Sequence, residues 1–172
     1  MPAVSSMDYL DSFPGNTHFD TEGWVTFLQS DQHLPLYLIE PKRALFTHDM
    51  DEYKATYVRV TRSAHDRDET VKSFGRRVLQ QIKQNKSKYV IVDFRHHRGG
   101  DYTLTLPLVR DLASALPSDG HLYLITGPNT FSAGIVSGSQ FKRYVPDRLT
   151  ICLLYTSPSP RDQRGSRMPS SA

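Results

Sequence analysis

YVIVDFRHHRGG, residues 89–100, decides how the chain folds. Its first half is almost continuously apolar and β-branched in the middle, the pattern of a central parallel strand covered on both faces. Its second half turns abruptly to Arg95, His96, His97, Arg98 and the pair Gly99 and Gly100, which ends the strand in a loop running to Asp101. A loop in that position follows the C-terminal end of a buried strand, where open α/β sheets gather the groups that meet a ligand.

On either side of this strand the apolar pattern changes to a helical period. Asp66, Asp68 and Thr70 are candidate caps for a helix over 70–85, with Val71, Phe74, Val78, Leu79 and Ile82 on its buried face and its end near Asn85. Downstream, Leu104, Leu108, Leu112 and Leu116 predict a helix over 103–116 that Pro117 to Gly120 stop. HLYLIT, residues 121–126, is the next strand. A third helix over 131–142 is expected to set Gly134, Ile135, Gly138 and Phe141 against the sheet. Further upstream, PLYLI (35–39), RALFTH (43–48) and YKATYVRVTRS (53–63) read as strands. The last alternates Val58 and Val60 with Tyr57, Arg59 and Thr61, which predicts one partly wet face. The fold class is therefore α/β, a mixed or mainly parallel sheet with flanking helices.

Composition bounds the rest. At about 150 residues per domain, 172 residues make one domain or a piece of a larger one, and 38% apolar residues suffice for a core. Arg161, Arg164 and Arg167 against Asp162 place two of the three net positive charges in residues 151–172, and no basic stripe runs elsewhere. That argues against nucleic-acid binding. The lone Cys152 excludes an intramolecular disulfide and a Cys-based zinc site. Neither a signal-peptide pattern nor an apolar run of about 18 residues is present, so no membrane span is expected. Residues 1–33 read as an N-terminal segment, with Phe19, Trp24, Phe27 and Leu28 compatible with a short helical linker. Residues 146–172 read as a disordered or non-native tail, because Ser, Pro and Arg dominate after Tyr155 and LLYTSPSPRD looks like translated adapter sequence.

Two constellations carry chemistry. In DFRHHRGG, Gly99 and Gly100 permit positive φ, so a backbone N–H is able to face a cleft and meet developing negative charge; a plain tight turn is the simpler reading. The spacing is not that of a phosphate or dinucleotide loop. His96 and His97 lack a third metal ligand unless Asp93 supplies it, and Asp93 is better explained as a partner of Arg95 or Arg98. No metal or cofactor is expected. In Thr130-Phe131-Ser132-Ala133-Gly134, a strand, a sharp turn, a serine and a helix follow one another. That order exposes a nucleophilic Oγ and offers the next N–H to an oxyanion, although Ser132 also fits a simple helix cap.

Taken together in register, DFRHHRGG, the Leu-periodic helix and YLITGPNTFSAG resemble the S41 peptidase family, the C-terminal processing and tricorn-like serine peptidases of ClpP/crotonase-type fold. That family reads roughly Asp-Leu-Arg, a variable trio, Gly-Gly, a helix, a strand and Thr-Phe-Ser-Ala. Asp93, Arg95, Gly99, Gly100, Thr130, Phe131, Ser132 and Ala133 match it, and Phe94 replaces the usual Leu. With the PLYL stretch and the strand around Tyr57, the likeness covers residues 34–145. It implies that Ser132 is the nucleophile and that Ala133 and one of Gly99 or Gly100 form the oxyanion hole. It also implies a substrate that is a peptide or unfolded protein.

The family draws its general base from a Lys beyond the nucleophile helix or from a His with a carboxylate. Residues 144–162, YVPDRLTICLLYTSPSPRD, hold neither. The core thus reads as incomplete and the chain as inactive, with His96 and His97 as the nearby substitutes. A non-catalytic ligand-binding or scaffold module on the same fold is the alternative.

Overall fold

The computed structural model describes residues 34–154. The expectations for residues 1–33, including the short helix, and for residues 155–172 lie outside the described residues. A five-stranded mixed sheet runs in sequential order: β1 (Leu45–Met50), β2 (Ala55–Val60), β3 (Tyr89–Asp93), β4 (His121–Thr126) and β5 (Leu149–Leu153). β1 is antiparallel to β2, and β2 to β5 are parallel. The parallel steps are bridged by α1 (Val71–Gln84), α2 (Tyr102–Ala115) and α3 (Ala133–Tyr144).

A sheet whose order never doubles back, joined by right-handed crossovers, puts all its helices on one face. Accordingly α2 packs between α1 and α3. The core fills the space between the layers, with Val58, Val60, Val90, Val92, Leu122 and Leu124 meeting Phe74, Val78, Ile82, Leu108, Leu112 and Phe141. The opposite face is thinner. Tyr89 and Ile91 of β3 are only half-buried, so the continuous apolar run is covered fully on one side and not on both.

The helices start where local chemistry satisfies their first N–H groups. Thr70 caps α1 through a capping box: its hydroxyl accepts the Ser73 N–H at 3.1 Å, and Ser73 Oγ accepts the Thr70 N–H at 3.0 Å. Asp66 is thereby left to accept the Ala44 N–H at 3.0 Å, fastening the start of β1. Asp101 caps α2 by accepting the Thr103 N–H at 2.9 Å.

Four expectations are corrected. PLYLI is not a strand; Leu36–Leu38 form a 3-10 turn. β2 has no wet face, and all its residues are buried, because residues 37–43 curl over it around the Arg59 guanidinium. Ile135 does not face the sheet and is 58% exposed, since Gly134 and Gly138 form the close-packed side of α3, where a Cβ on Gly138 would lie 3.3 Å from Leu124. Irregular chain does not begin at 146: residues 149–153 form β5 in register with residues 122–126 of β4, and Leu149 and Ile151 pack against the core. No helix among the described residues is long and apolar enough to cross a membrane.

Candidate active site

β3 and β4 are parallel neighbours, so the loop after one and the turn after the other emerge at the same end of the sheet. Hydrogen bonds stitch them together. The Phe94 N–H donates to Ile125 O at 2.8 Å, Thr130 Oγ1 to Phe94 O at 2.7 Å, and the Phe131 N–H to His97 O at 2.9 Å. Thr130 Oγ1 also accepts the Gly127 N–H at 2.9 Å, which closes the turn on itself.

Ser132 stands at the N-cap position of α3 with φ 48° and ψ −116°, and its side chain caps nothing. The simple capping role therefore fails. A non-glycine residue in this backbone region is strained by about 1–3 kcal/mol and persists only where its surroundings hold it. Here the hold comes from the stitched turn on one side and from the Ile135 and Val136 N–H groups, both donating to Ser132 O, on the other. The residue is exposed, and its side chain abuts the glycine loop. A Cβ built on Gly99 would fall 3.0 Å from Ser132 Cβ and 3.5 Å from Ser132 Oγ. Gly99 is required both by this approach and by its φ of 94°.

Among the described residues, no group accepts the Ala133 N–H at the start of α3 or the Gly100 N–H. The Gly99 N–H is spent within its own loop, donating to His97 Nδ1 at 3.1 Å. Of the two glycines, Gly100 is thus the one with a donor to offer.

The two histidines part company. His97 is fully buried: its ring lies 5.0 Å from that of Phe94, and Nε2 is 3.2 Å from Ser63 Oγ. Burial pushes its imidazole down to about 4. Both ring nitrogens are engaged, so His97 is not a base for Ser132. His96 is half-buried against Tyr37, with ring centres 6.0 Å apart, and burial likewise lowers its pKa. Asp93 is buried with every strong partner at hand: the Tyr57 hydroxyl at 2.6 Å, Arg95 Nε at 2.8 Å and the Arg95 N–H at 3.0 Å. Burial and the Asp93 charge push the Tyr57 phenol well above its ordinary range. Arg95 in turn lies 4.3 Å above the Tyr37 ring. Asp93 and His97 thus direct their donor atoms at protein groups, and among the described residues no cluster of three or more His, Cys, Asp or Glu side chains is arranged for a metal.

Ser63, Thr105 and Ser137, whose buried hydroxyls meet beside His97, belong to no motif in the sequence. Their only signal is position, since Thr105 and Ser137 each fall on the buried face of an otherwise apolar helix pattern. A surface cavity of about 470 Å³ lies away from Ser132, lined by β1, α1 and the pairs Arg43–Asp68 and Arg77–Glu69.

Comparison with known proteins adds little to this geometry. No family model matches the chain, and no curated protein matches it. Among solved structures it is similar to a photosystem II D1 C-terminal processing protease, at 17% identity and a TM-score of 0.39. The likeness covers 56% of this chain and 29% of the other, so the chain spans less than a third of that protein's length.

Proposed function

We propose that Ser132 is the nucleophile of a serine-type peptidase site on a ClpP/crotonase-type sheet, and that the described residues hold the nucleophile half of that site. The observation that carries this reading is the strained backbone of Ser132, whose hydroxyl caps nothing and whose side chain lies against Gly99 of the glycine loop. The matches of DFRHHRGG and TFSAG to the S41 pattern support it.

In this reading Ser132 Oγ attacks the scissile carbonyl carbon and gives its proton to a general base, which returns it to the leaving nitrogen. The carbonyl oxygen, now negative, accepts from the Ala133 and Gly100 N–H groups, and collapse of the tetrahedral species expels the amine and leaves an acyl-serine that water hydrolyses. α3 adds to the same end, since its N-terminus favours negative charge. Substrates are peptides or unfolded proteins, and the chemistry calls for no cofactor.

The step that lacks a part is proton removal. Among the described residues no Lys or His is hydrogen-bonded to Ser132 Oγ, and His97 is committed elsewhere. These groups act as a unit, so a nucleophile without its base leaves most of the acceleration unrealised. On this reading the described residues leave the site without its base, and little or no turnover is the expected outcome.

A peptidyl boronic acid tests nucleophile and oxyanion hole without demanding turnover, because Oγ–B bond formation needs only one proton released to water. Boron NMR is expected to show a tetrahedral adduct that S132A abolishes, while an unfolded protein substrate stays uncut. Absence of the adduct in folded wild-type chain would remove the nucleophile reading in favour of a non-catalytic binding module. Ser132-dependent turnover would show that a base is present after all.

A further inference from the structure

We propose that His97 is a positioning residue for this site: as a neutral imidazole with its proton on Nε2, it holds the Gly99–Gly100 loop in the orientation that meets Ser132. The loop-holding role stands on geometry alone, and its consequence for chemistry rests on the serine reading above.

The proton assignment follows from the partners. Nδ1 accepts the Gly99 N–H at 3.1 Å, so it carries no proton and Nε2 does. Nε2 then donates to Ser63 Oγ at 3.2 Å. Ser63 passes its own proton to Thr105 Oγ1 at 3.0 Å, Ser137 Oγ donates to the same oxygen at 2.8 Å, and Thr105 donates to Tyr102 O at 3.1 Å. One set of protons satisfies all four side chains, and reversing the imidazole tautomer would set two N–H groups against each other at Nδ1.

This ring joins four parts of the fold. It touches the glycine loop through Nδ1 and the exit of β2 through Ser63, and it reaches α2 and α3 through Thr105 and Ser137. Its backbone oxygen accepts the N–H of Phe131, the residue before Ser132, and a Cβ on Gly134 would strike its Nδ1 at 2.8 Å.

Gly99 and Gly100, at φ 94° and 113°, have no Cβ to bar rotation of the peptide between them. The Ser63 N–H donates to Gly99 O at 2.7 Å, and in a trans peptide this turns the Gly100 N–H away from Ser63. The imidazole fixes the preceding peptide by holding the Gly99 N–H. With both planes pinned, the Gly100 N–H keeps one direction and needs no reordering when a substrate arrives.

The experiment has one arm that needs no variant. Nitrogen-15 NMR of the imidazole in wild-type chain is expected to show the Nε2–H tautomer, and hydrogen exchange a protected Gly99 amide. An Nδ1–H tautomer, or a Gly99 amide exchanging like open loop, would overturn the proposal. The second arm measures affinity for the peptidyl boronic acid in H97N and H97L. The Asn Oδ1 replaces Nδ1 as acceptor for Gly99, so H97N is expected to stay within about threefold of wild type, whereas H97L weakens binding by about tenfold or more. Equal loss in both variants, or none in H97L, contradicts positioning through the Gly99 bond. Wild-type chain with the expected tautomer and protection but no Ser132-dependent adduct overturns the nucleophile reading and leaves the loop-holding role standing.

Discussion

At φ 48° and ψ −116°, Ser132 occupies backbone that glycine adopts without strain. S132G is therefore expected to be more stable than S132A by about 1 kcal/mol in urea unfolding, the reverse of the usual order inside or beside a helix. His97 makes a second prediction at this scale. Its native pKa is about 4, against an ordinary 6.5 in the unfolded chain. The native ring stays neutral while the unfolded ring protonates, so its contribution is full above pH 6.5 and is lost as pH falls towards 4. The loss is on the order of 3 kcal/mol. Urea midpoints taken from pH 7 to 4 are expected to fall more steeply in wild type than in H97N, and parallel slopes would contradict a buried neutral imidazole. Gly99 and Gly100 were legible because a tight turn after a strand favours glycine, and Ser132 because it stands where a turn opens a helix; the strain at Ser132, which the turn itself would relieve with glycine, was not. The division of labour between His96 and His97 was not, since adjacent residues on irregular backbone carry no period that says which one is buried.

Among elements, the helices were the most readable, because a 3.6-residue apolar period and a cap are local signals. Thr70 shows how local: T70A breaks the capping box and is expected to cost about 1 kcal/mol, measured by thermal or urea unfolding. Strands were harder. β2 alternates like a half-wet strand, yet Arg59 is buried and gives Nη1 to Tyr37 O and Ile39 O at 2.9 and 2.6 Å, and Nη2 to Glu40 O at 2.7 Å. A single long-range side chain thus bends PLYLI into a 3-10 turn and seals the face that alternation left open, and no local pattern encodes that. R59M leaves these carbonyls without a donor and is expected to cost about 3 kcal/mol or more, with trypsin gaining access at Arg43. Intact protection of Arg43 in R59M would show that residues 37–43 are held by something else.

At the scale of the whole molecule, helices on one face leave the other partly open, and β5 lies at the rim with Leu153 and Leu154 exposed. Among the described residues no strand pairs with its outer edge, a template for association with another chain. L153K is expected to reduce light scattering at high protein concentration without shifting the unfolding midpoint. The parallel order of β3 and β4 is what brings the two short motifs to one end of the sheet, and that was legible from the strand–loop–helix sequence, while the strand character of LTICL was hidden by the composition that follows it. In the proposed function Ser132, Ala133 and Gly100 converge on one reacting centre, which a crystal structure of the chain with a peptidyl boronic acid would reveal directly. Boron is expected to be bonded to Ser132 Oγ, with one boronate oxygen about 3 Å from both the Ala133 and Gly100 nitrogens. A boronate bonded elsewhere, or one whose oxygens all turn away from those two N–H groups, would contradict it.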